Sequence, residues 1–233
     1  MKKHIPNAIT CCNLISGCGA TMYAFAGQYT VALAFIIIGA VFDFFDGMTA
    51  RLLHVSSPIG KELDSLADCI TFGFAPSAMI YDLLAHSEWP AALPDTVRCY
   101  IPFVAFLMAA FSALRLAKFN LDERQALGFI GLPTPANALF WASLIVGASA
   151  YLHPYPVAVV VQMLISCFLL VCELPMFALK FKTWGWRGNE IKYLFIASSL
   201  PILLFFGMLG IAVVILWYVV LSLIATKFPS PKP

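Results

Sequence analysis

The stretch from Val31 to Asp68 reads VALAFIIIGAVFDFFDGMTARLLHVSSPIGKELDSLAD. An apolar run ends at Asp43 and Asp46, and after a short loop a second segment carries Asp64 and Asp68 before the next apolar run. Spacings of three and four residues put the two carboxylates of each pair on one face of a helix. Two helices joined by a short loop would therefore bring four carboxylates together at one boundary of an apolar layer.

The composition of the whole chain indicates a protein that needs lipid as its solvent. Of 233 residues, 61% are hydrophobic and 11% are charged, whereas soluble domains carry about 25% charged residues. The mean hydropathy of +0.89 excludes a water-soluble globule and a disordered chain. A net charge of +2 is too small to indicate nucleic-acid binding. The seven cysteines lack C-x-x-C spacing, which favours small buried side chains over a disulfide framework or a zinc site.

Apolar stretches recur along the whole chain and predict an all-α, polytopic transmembrane helix bundle that forms a single domain over residues 1–233. About eight spans are expected, with six or seven as alternatives, because several stretches are short for a crossing of about 20 residues. The last two stretches are also separated by very few residues. The stretches are 9–26, 30–50, 65–85, 99–119, 135–152, 156–179, 191–207 and 209–226.

The basic residues predict the orientation of this bundle. With eight spans and a cytoplasmic N-terminus, every Lys and Arg except Arg98 falls on the cytoplasmic side, as the positive-inside rule requires. We therefore expect cytoplasmic N- and C-termini and an integral protein of the cell's inner (cytoplasmic) membrane, with the carboxylates facing the cytosol. The residues on the cytoplasmic side are Lys2, Lys3, Arg51, Lys61, Arg115, Lys118, Arg124, Lys180, Lys182, Arg187, Lys192, Lys227 and Lys232.

The four carboxylates themselves indicate bound cations. Like charges within a few ångströms repel one another, so the cluster requires divalent cations or protons. Carboxylate oxygens favour Mg²⁺, Mn²⁺ or Ca²⁺ over zinc. Gly47, Ala50 and Gly60 lack bulk and would let a ligand approach the backbone, while Arg51 suits phosphate oxygens. The combination predicts phosphoryl chemistry assisted by divalent cations.

Residues 43–68 follow the pattern D-x-x-D-G-x-x-A-R-x8-G-x-x-x-D-x-x-x-D, which resembles the signature of the CDP-alcohol phosphatidyltransferase family. Members are integral membrane enzymes that move a phosphatidyl or related group from a CDP-linked donor to an alcohol and release CMP. The resemblance implies that Asp43, Asp46 and Asp64 hold Mg²⁺ or Mn²⁺, with Ca²⁺ as another occupant. It makes Asp68 a further ligand or the base, and Asp64 and Asp68 the catalytic residues. The implied CDP site comprises Asp43, Gly47, Ala50, Arg51, Gly60 and Asp64.

Further stretches resemble the integral-membrane members of the family that use L-serine. They are 60–76 (GKELDSLADCITFGFAP), 113–120 (ALRLAKFN) and 131–137 (GLPTPAN), together with the start of the chain around Asn7, Thr10 and Asn13. The resemblance implies CDP-diacylglycerol and L-serine as substrates, phosphatidylserine and CMP as products, and a homodimer among membrane lipids. Candidates for binding serine or phosphate are Arg115, Lys118, Asn120 and Ser65.

Two alternatives remain open at this point. Another acceptor, such as glycerol 3-phosphate or inositol phosphate, would use the same chemistry, and the basic residues near the carboxylates do not exclude it. A cation-coupled transporter would also place acidic residues in a membrane, although it predicts them at several depths rather than at one boundary.

Overall fold

The computed structural model describes residues 4–55, 57–122, 129–177, 185–186 and 189–227. Eight helical rods make up most of this part of the chain, and each overlaps one predicted apolar stretch, which confirms the all-α polytopic class. They are α1 (His4–Phe25), α2 (Tyr29–Leu52), a composite of α3 (Pro58–Asp68), a π-helical segment (Cys69–Phe74) and α4 (Ala75–Ala85), a composite of α5 (Asp95–Tyr100), a 3₁₀ segment (Ile101–Ala105) and α6 (Phe106–Leu121), then α7 (Thr134–Leu152), α8 (Pro156–Val171), α9 (Glu190–Phe206) and α10 (Leu209–Lys227).

Four of these rods are long and apolar enough to cross a membrane by length and composition: His4–Phe25, Tyr29–Leu52, Asp95–Leu121 and Thr134–Leu152. The apolar segments Pro156–Val171 and Leu209–Ala225 are shorter. Large apolar side chains such as Met22 and Phe205 cover the outside, whereas some polar side chains, such as Thr71 and Asn137, are fully buried in the interior. This distribution is typical of a protein embedded in lipid. The number of crossings stays a prediction.

One predicted boundary is wrong. The stretch 156–179 suggests a helix that continues to residue 179, but α8 ends at Val171. Pro175 explains the difference, because proline disfavours helical geometry in the residue before it and offers no backbone N–H. Residues Pro175–Met176 instead form a short strand, β2, that pairs antiparallel with β1 (Phe129–Ile130).

The core lies between the helices and has two parts. The larger part is shared by α1, α2, α4 and α6–α8, and the fully buried Trp141 donates its indole N–H to Ser166 Oγ at 3.0 Å. The smaller part packs β2 against α9 and α10, where Tyr218 Oη donates to the carbonyl of Phe177 at 2.9 Å. The indole and phenol groups thus find partners inside the apolar interior, as buried aromatic polar groups require.

Helix α1 holds the site region together by close backbone packing. It contacts α2, α3, the π-helical segment and α4. A Cβ at Gly17 would lie 2.8 Å from Thr71 Cα and 2.9 Å from Thr71 N, and a Cβ at Gly39 of α2 would lie 2.5 Å from Thr71 Cγ2. Glycine at both positions lets three rods approach one another, as small residues do in membrane helix packing.

We expect Gly17→Ala to lower the free energy of unfolding by about 1–3 kcal/mol, the usual cost of overpacking. The added methyl would meet the backbone of Thr71, which cannot rotate away as a side chain could. Thermal unfolding in detergent micelles measures the change. Cys18→Ala is the matched control, because Cys18 is exposed on the same helix and its loss should cost less than ~0.5 kcal/mol. Equal stability of the two variants would contradict the packing argument.

The structure places two basic residues near the carboxylates and a third at the opposite end of its rod, while the orientation in the membrane stays a prediction. Arg51 follows the carboxylates on α2, and Lys61 lies on α3 beside the end of α6, where its Nζ donates to the carbonyl of Asn120 at 2.8 Å. Arg98 lies at the opposite end of the Asp95–Leu121 rod. Lys2, Lys3, Arg124, Lys180, Lys182, Arg187 and Lys232, and the side chain of Lys227, lie outside the described residues.

Candidate active site

The structure brings together three of the four predicted carboxylates. One oxygen each from Asp43 on α2 and from Asp64 and Asp68 on α3 lies within 4.8 Å of the other two. We call these residues the carboxylate trio. Asp64 Oδ1 is buried and has no hydrogen-bond partner among the described residues. Three hard oxygen donors and an unpartnered buried oxygen fit a divalent cation such as Mg²⁺ or Mn²⁺.

The electrostatics of Asp64 also favour a bound cation. Asp64 precedes the predicted stretch 65–85, and burial raises the pKa of its carboxyl above the ordinary value. The negative charge of Asp46 raises this pKa further, while a hydrogen bond with Asp43 opposes the rise. Carboxylates held so close favour either a shared proton or a bound cation, because each ionised form destabilises its neighbour.

Asp46 differs from the other three acids. It is 6% exposed, and the Thr10 hydroxyl of α1 donates to its Oδ2 at 2.5 Å. Its oxygens lie outside the carboxylate trio, and the residue lines a cavity instead. Its role as a metal ligand therefore stays a prediction.

A cavity of about 270 Å³ opens between α1, α2 and α3. Its lining includes Asp46, Gly47, Ala50, Gly60 and Asp64. The sequence predicted Asp46 as a metal ligand and the other four as residues of the CDP site. The volume is close to the lower end of the roughly 300–1,000 Å³ that small-molecule pockets occupy.

The start of α3 shapes one wall of this cavity. Ser57 caps the helix, with its Oγ accepting a hydrogen bond from the Gly60 N–H at 3.0 Å, and Pro58 occupies the first turn. This is a favoured helix start. A Cβ at Gly60 would lie 3.0 Å from Ser57 Oγ and 3.1 Å from Asn7 Oδ1, so glycine keeps the wall thin where α1 and α3 meet.

Two predicted CDP-site residues lie beside the cavity rather than in its lining. Arg51 is exposed and borders an adjoining cleft that shares Ala50 and Val55 with the cavity. Its Nη1 lies 3.7 Å from the position of a Cβ on Gly47, so the guanidinium is close to the cavity rim. Asp43 belongs to the carboxylate trio and does not line the cavity.

The four candidates for serine or phosphate fall into two separate places. Asn120 Nδ2 donates to Ser65 Oγ at 2.7 Å, which links α6 to α3 beside Lys61. Arg115 and Lys118 border a different, smaller cavity of about 50 Å³. The four residues therefore do not line one common pocket.

Arg115 is the more informative member of the second pair. It is 6% exposed, and its guanidinium carbon lies 5.6 Å from the centre of the Phe119 ring. Its Nε has no hydrogen-bond partner among the described residues. A buried guanidinium with an unused donor suits an anionic ligand group.

Sequence reasoning missed the contribution of α1 to the site. Asn7 and Thr10 line the cavity, and Asn13 Nδ2 donates to Asp68 Oδ1 at 3.0 Å. A signal was present, because these polar residues recur every third position at and just before the start of the first apolar stretch and so share one helix face. Polar side chains on one face of an apolar helix indicate an inward-facing polar site.

Helix α7 contributes a second group of buried polar atoms. Thr134 and Asn137 are 1% and 0% exposed, and Thr134 Oγ1 and both polar side-chain atoms of Asn137 have no hydrogen-bond partner among the described residues. Both residues belong to the 131–137 stretch that carries the family resemblance. Such atoms require an ordered water or a polar ligand to satisfy them.

Comparison with known proteins identifies the family of the chain. A family model described as CDP-alcohol phosphatidyltransferase matches residues 3–184, well over half of the chain. The chain belongs to the CDP-alcohol phosphatidyltransferase family. It is therefore a transferase, and the matched range contains the carboxylate trio, the cavity and Arg115.

Several curated relatives carry the name CDP-diacylglycerol–serine O-phosphatidyltransferase. The Bacillus subtilis protein is 38% identical over 137 residues, which is 57% of this chain and 70% of that protein. A Helicobacter pylori protein is 33% identical over 136 residues, 58% of this chain and 54% of that protein. The Methanocaldococcus jannaschii protein is 31% identical over 166 residues, 71% of this chain and 70% of that protein. The alignment thus spans about half the length of the Helicobacter relative.

Proposed function

We propose that this chain transfers the phosphatidyl group of CDP-diacylglycerol to the hydroxyl of L-serine and releases CMP, a step of phospholipid biosynthesis. The carboxylate trio beside the cavity is the observation that carries the proposal. The relatives named as serine O-phosphatidyltransferases support L-serine as the acceptor. We further propose that residues 1–233 act as one domain and that the protein is a homodimer.

The cavity is proposed to bind the CDP part of the donor. Gly47, Ala50 and Gly60 leave its walls without side-chain bulk, so a flat base and a ribose could lie against the backbone. Arg51 at the rim would donate to phosphate oxygens. The apolar outer surface of the same helices would let the acyl chains stay in lipid while the nucleotide stays in water.

The carboxylate trio is proposed to hold the divalent cation on which this family depends, Mg²⁺ or Mn²⁺, with Ca²⁺ as another occupant. Asp43, Asp64 and Asp68 would supply ligands, and Asp46 would join them if it left Thr10. Bound there, a divalent cation supplies Lewis-acid stabilisation of the negative charge on the pyrophosphate oxygens.

In a direct transfer, the serine hydroxyl oxygen forms a new bond to the phosphorus that carries the diacylglycerol. The bond between that phosphorus and the bridging oxygen of CMP breaks, and CMP leaves with the electron pair of this bond. Asp68 would take the hydroxyl proton, because it is a carboxylate of the trio with only 8% exposure. Proton removal by a positioned carboxylate assists a hydroxyl that is a weak nucleophile at neutral pH.

Arg115 is the proposed partner for the carboxylate of serine or for a donor phosphate. Its buried guanidinium has an unused donor, so it would bind an anionic group through charge-assisted hydrogen bonds. Lys118 is exposed near the same small cavity and would add positive charge. Ser65 and Asn120 already bond to each other, and we propose that they join α3 to α6 near the acceptor.

The site is proposed to face the cytosol from the inner membrane of the cell. Arg51, Lys61 and Lys118 lie at the end of the bundle that holds the carboxylates, and Arg98 lies at the other end of its rod, which supports this orientation under the positive-inside rule. A cytosolic site would also meet the water-soluble acceptor directly.

The distribution of buried acids favours an enzyme over a cation-coupled transporter. Asp82 is the one buried acid of the described residues that lies away from the site. Its Oδ2 accepts a hydrogen bond from Tyr29 Oη at 2.7 Å, and His86 Nδ1 lies 3.4 Å from its Oδ1. An acid that is bonded in this way at the far end of the bundle offers no chain of ion sites across the membrane.

The proposed function is tested by CMP release from purified protein in detergent with CDP-diacylglycerol and Mn²⁺. We expect release that depends on L-serine, with glycerol 3-phosphate and inositol phosphate at least ~10²-fold slower, because a site built to bond one acceptor rejects others strongly. CMP release that does not depend on L-serine but depends on another alcohol would contradict serine as the acceptor, although the reaction class would stand. Absence of release with every acceptor, from protein shown to be folded, would contradict the reaction.

A further inference from the structure

Asn13 is an amide in the middle of a helix inside an apolar bundle. Its side chain has 0% exposure, and a buried amide of this kind is costly unless it forms hydrogen bonds. Its Nδ2 donates to Asp68 Oδ1 at 3.0 Å, which joins α1 to a member of the carboxylate trio that lies on α3. The bond links groups 55 residues apart in the chain.

The surroundings of Asn13 hold this amide in place. Its backbone carbonyl accepts a hydrogen bond from Thr71 Oγ1 at 3.0 Å. Asn13 Oδ1 has no hydrogen-bond partner among the described residues, and it lies 3.0 Å from the position of a Cβ on Gly39 of α2, so close packing confines the amide on this side. Thr71 belongs to the π-helical segment that begins directly after Asp68, and such segments are frequent at functional sites. Three rods therefore meet around one amide.

We infer that Asn13 is a positioning residue that orients the Asp68 carboxylate within the trio. A carboxylate that accepts a fixed hydrogen bond on one oxygen loses the freedom to rotate, so its remaining lone pairs keep a constant direction. Outer partners of metal-binding carboxylates act in this way and affect both affinity and rate. The role of Asn13 in turnover rests on the proposed function, whereas its effect on cation binding does not.

The first measurement is Mn²⁺ affinity by titration of the purified full chain, without substrate. Asn13→Leu keeps the branched shape of the side chain and removes the donor. We expect it to weaken Mn²⁺ binding roughly 10–100-fold, the usual effect of losing an outer partner. Ser16→Ala is the matched control, because Ser16 is buried on the same helix and its Oγ donates to the carbonyl of Cys12 at 2.9 Å, its one hydrogen bond with the described residues. The control should leave the affinity unchanged.

A double-mutant cycle separates positioning from general damage to the fold. If Asn13 acts through Asp68, the effect of Asn13→Leu should fall below about twofold when Asp68→Asn is already present, because interacting residues are non-additive. An equal loss of affinity in both backgrounds would mean that Asn13 supports packing, and it would overturn the inference. Unchanged Mn²⁺ affinity in the single variant, or no saturable Mn²⁺ binding by the unaltered protein, would overturn it as well.

Asn13→Ala serves as the second variant if the leucine side chain prevents folding, since it removes the amide without adding bulk. With CDP-diacylglycerol and L-serine, both variants should lower kcat for CMP release while KM for CDP-diacylglycerol stays within about twofold, since an interaction made through a catalytic group affects the chemical step. A failure of the unaltered protein to release CMP with serine would contradict the proposed function alone. The cycle on Mn²⁺ affinity would still decide the role of Asn13.

Discussion

Asp64→Ala should abolish serine-dependent CMP release, with a fall of at least ~10³-fold, because the charge stabilisation that a bound metal supplies amounts to several kcal/mol. Asp64 is the residue, among those the structure describes, that belongs both to the carboxylate trio and to the cavity lining. Its unpartnered Oδ1 is also the oxygen with the clearest need for a cation. Removing this side chain would therefore weaken cation binding and donor placement together.

The measurement compares kcat and Mn²⁺ affinity of Asp64→Ala with those of Asp95→Ala. Asp95 is an acid at the start of α5, its side chain is 96% exposed, and it lies 3.5 Å from Arg98 at the other end of the bundle, so its loss should leave both quantities unchanged. Thermal unfolding of the two variants excludes a general loss of structure. An Asp64→Ala protein that released CMP at a near-normal rate would show that the trio is not the reaction centre.

The approximate positions of the helical rods could be predicted from the sequence. Long apolar runs can satisfy their backbone polar groups in a membrane only as helices, so each run yielded a helix. Helix ends were harder to predict, and α8 stops at Val171 because Pro175 outweighs the apolar run around it. The two-residue strands β1 and β2 were also missed, because a pairing between residues more than forty positions apart leaves no local pattern.

The carboxylate trio was predictable because helix spacing alone puts Asp64 and Asp68 on one face. The split of Asp46 from Asp43 was not, since it depends on Thr10 of another helix. The separation of Arg115 from Asn120 has a simple geometric reason, because five residues turn a helix by about 140° beyond a full turn. The two side chains therefore point to different neighbours, Asn120 to Ser65 and Arg115 to the interior.

Asp68→Asn should lower kcat for CMP release by about 10²–10⁴-fold, the usual contribution of a positioned general base. The amide is similar in shape to the carboxylate but cannot take the hydroxyl proton of serine at neutral pH. The CDP part of the donor would lie in a cavity whose lining does not include Asp68, so KM for CDP-diacylglycerol should change by no more than a few-fold. A fall in kcat with a steady KM is typical of an interaction made in the transition state.

The control for this variant is Asp82→Asn, because Asp82 is a second buried acid, 6% exposed, that bonds to Tyr29 at the far end of the bundle. It should keep kcat even if the variant is somewhat less stable. Binding of a fluorescent CDP-lipid to Asp68→Asn, in the presence of Mn²⁺, shows whether the donor still enters. If Asp68→Asn kept near-normal kcat, another group would have to take the proton, and the remaining carboxylates of the trio would be the first to test.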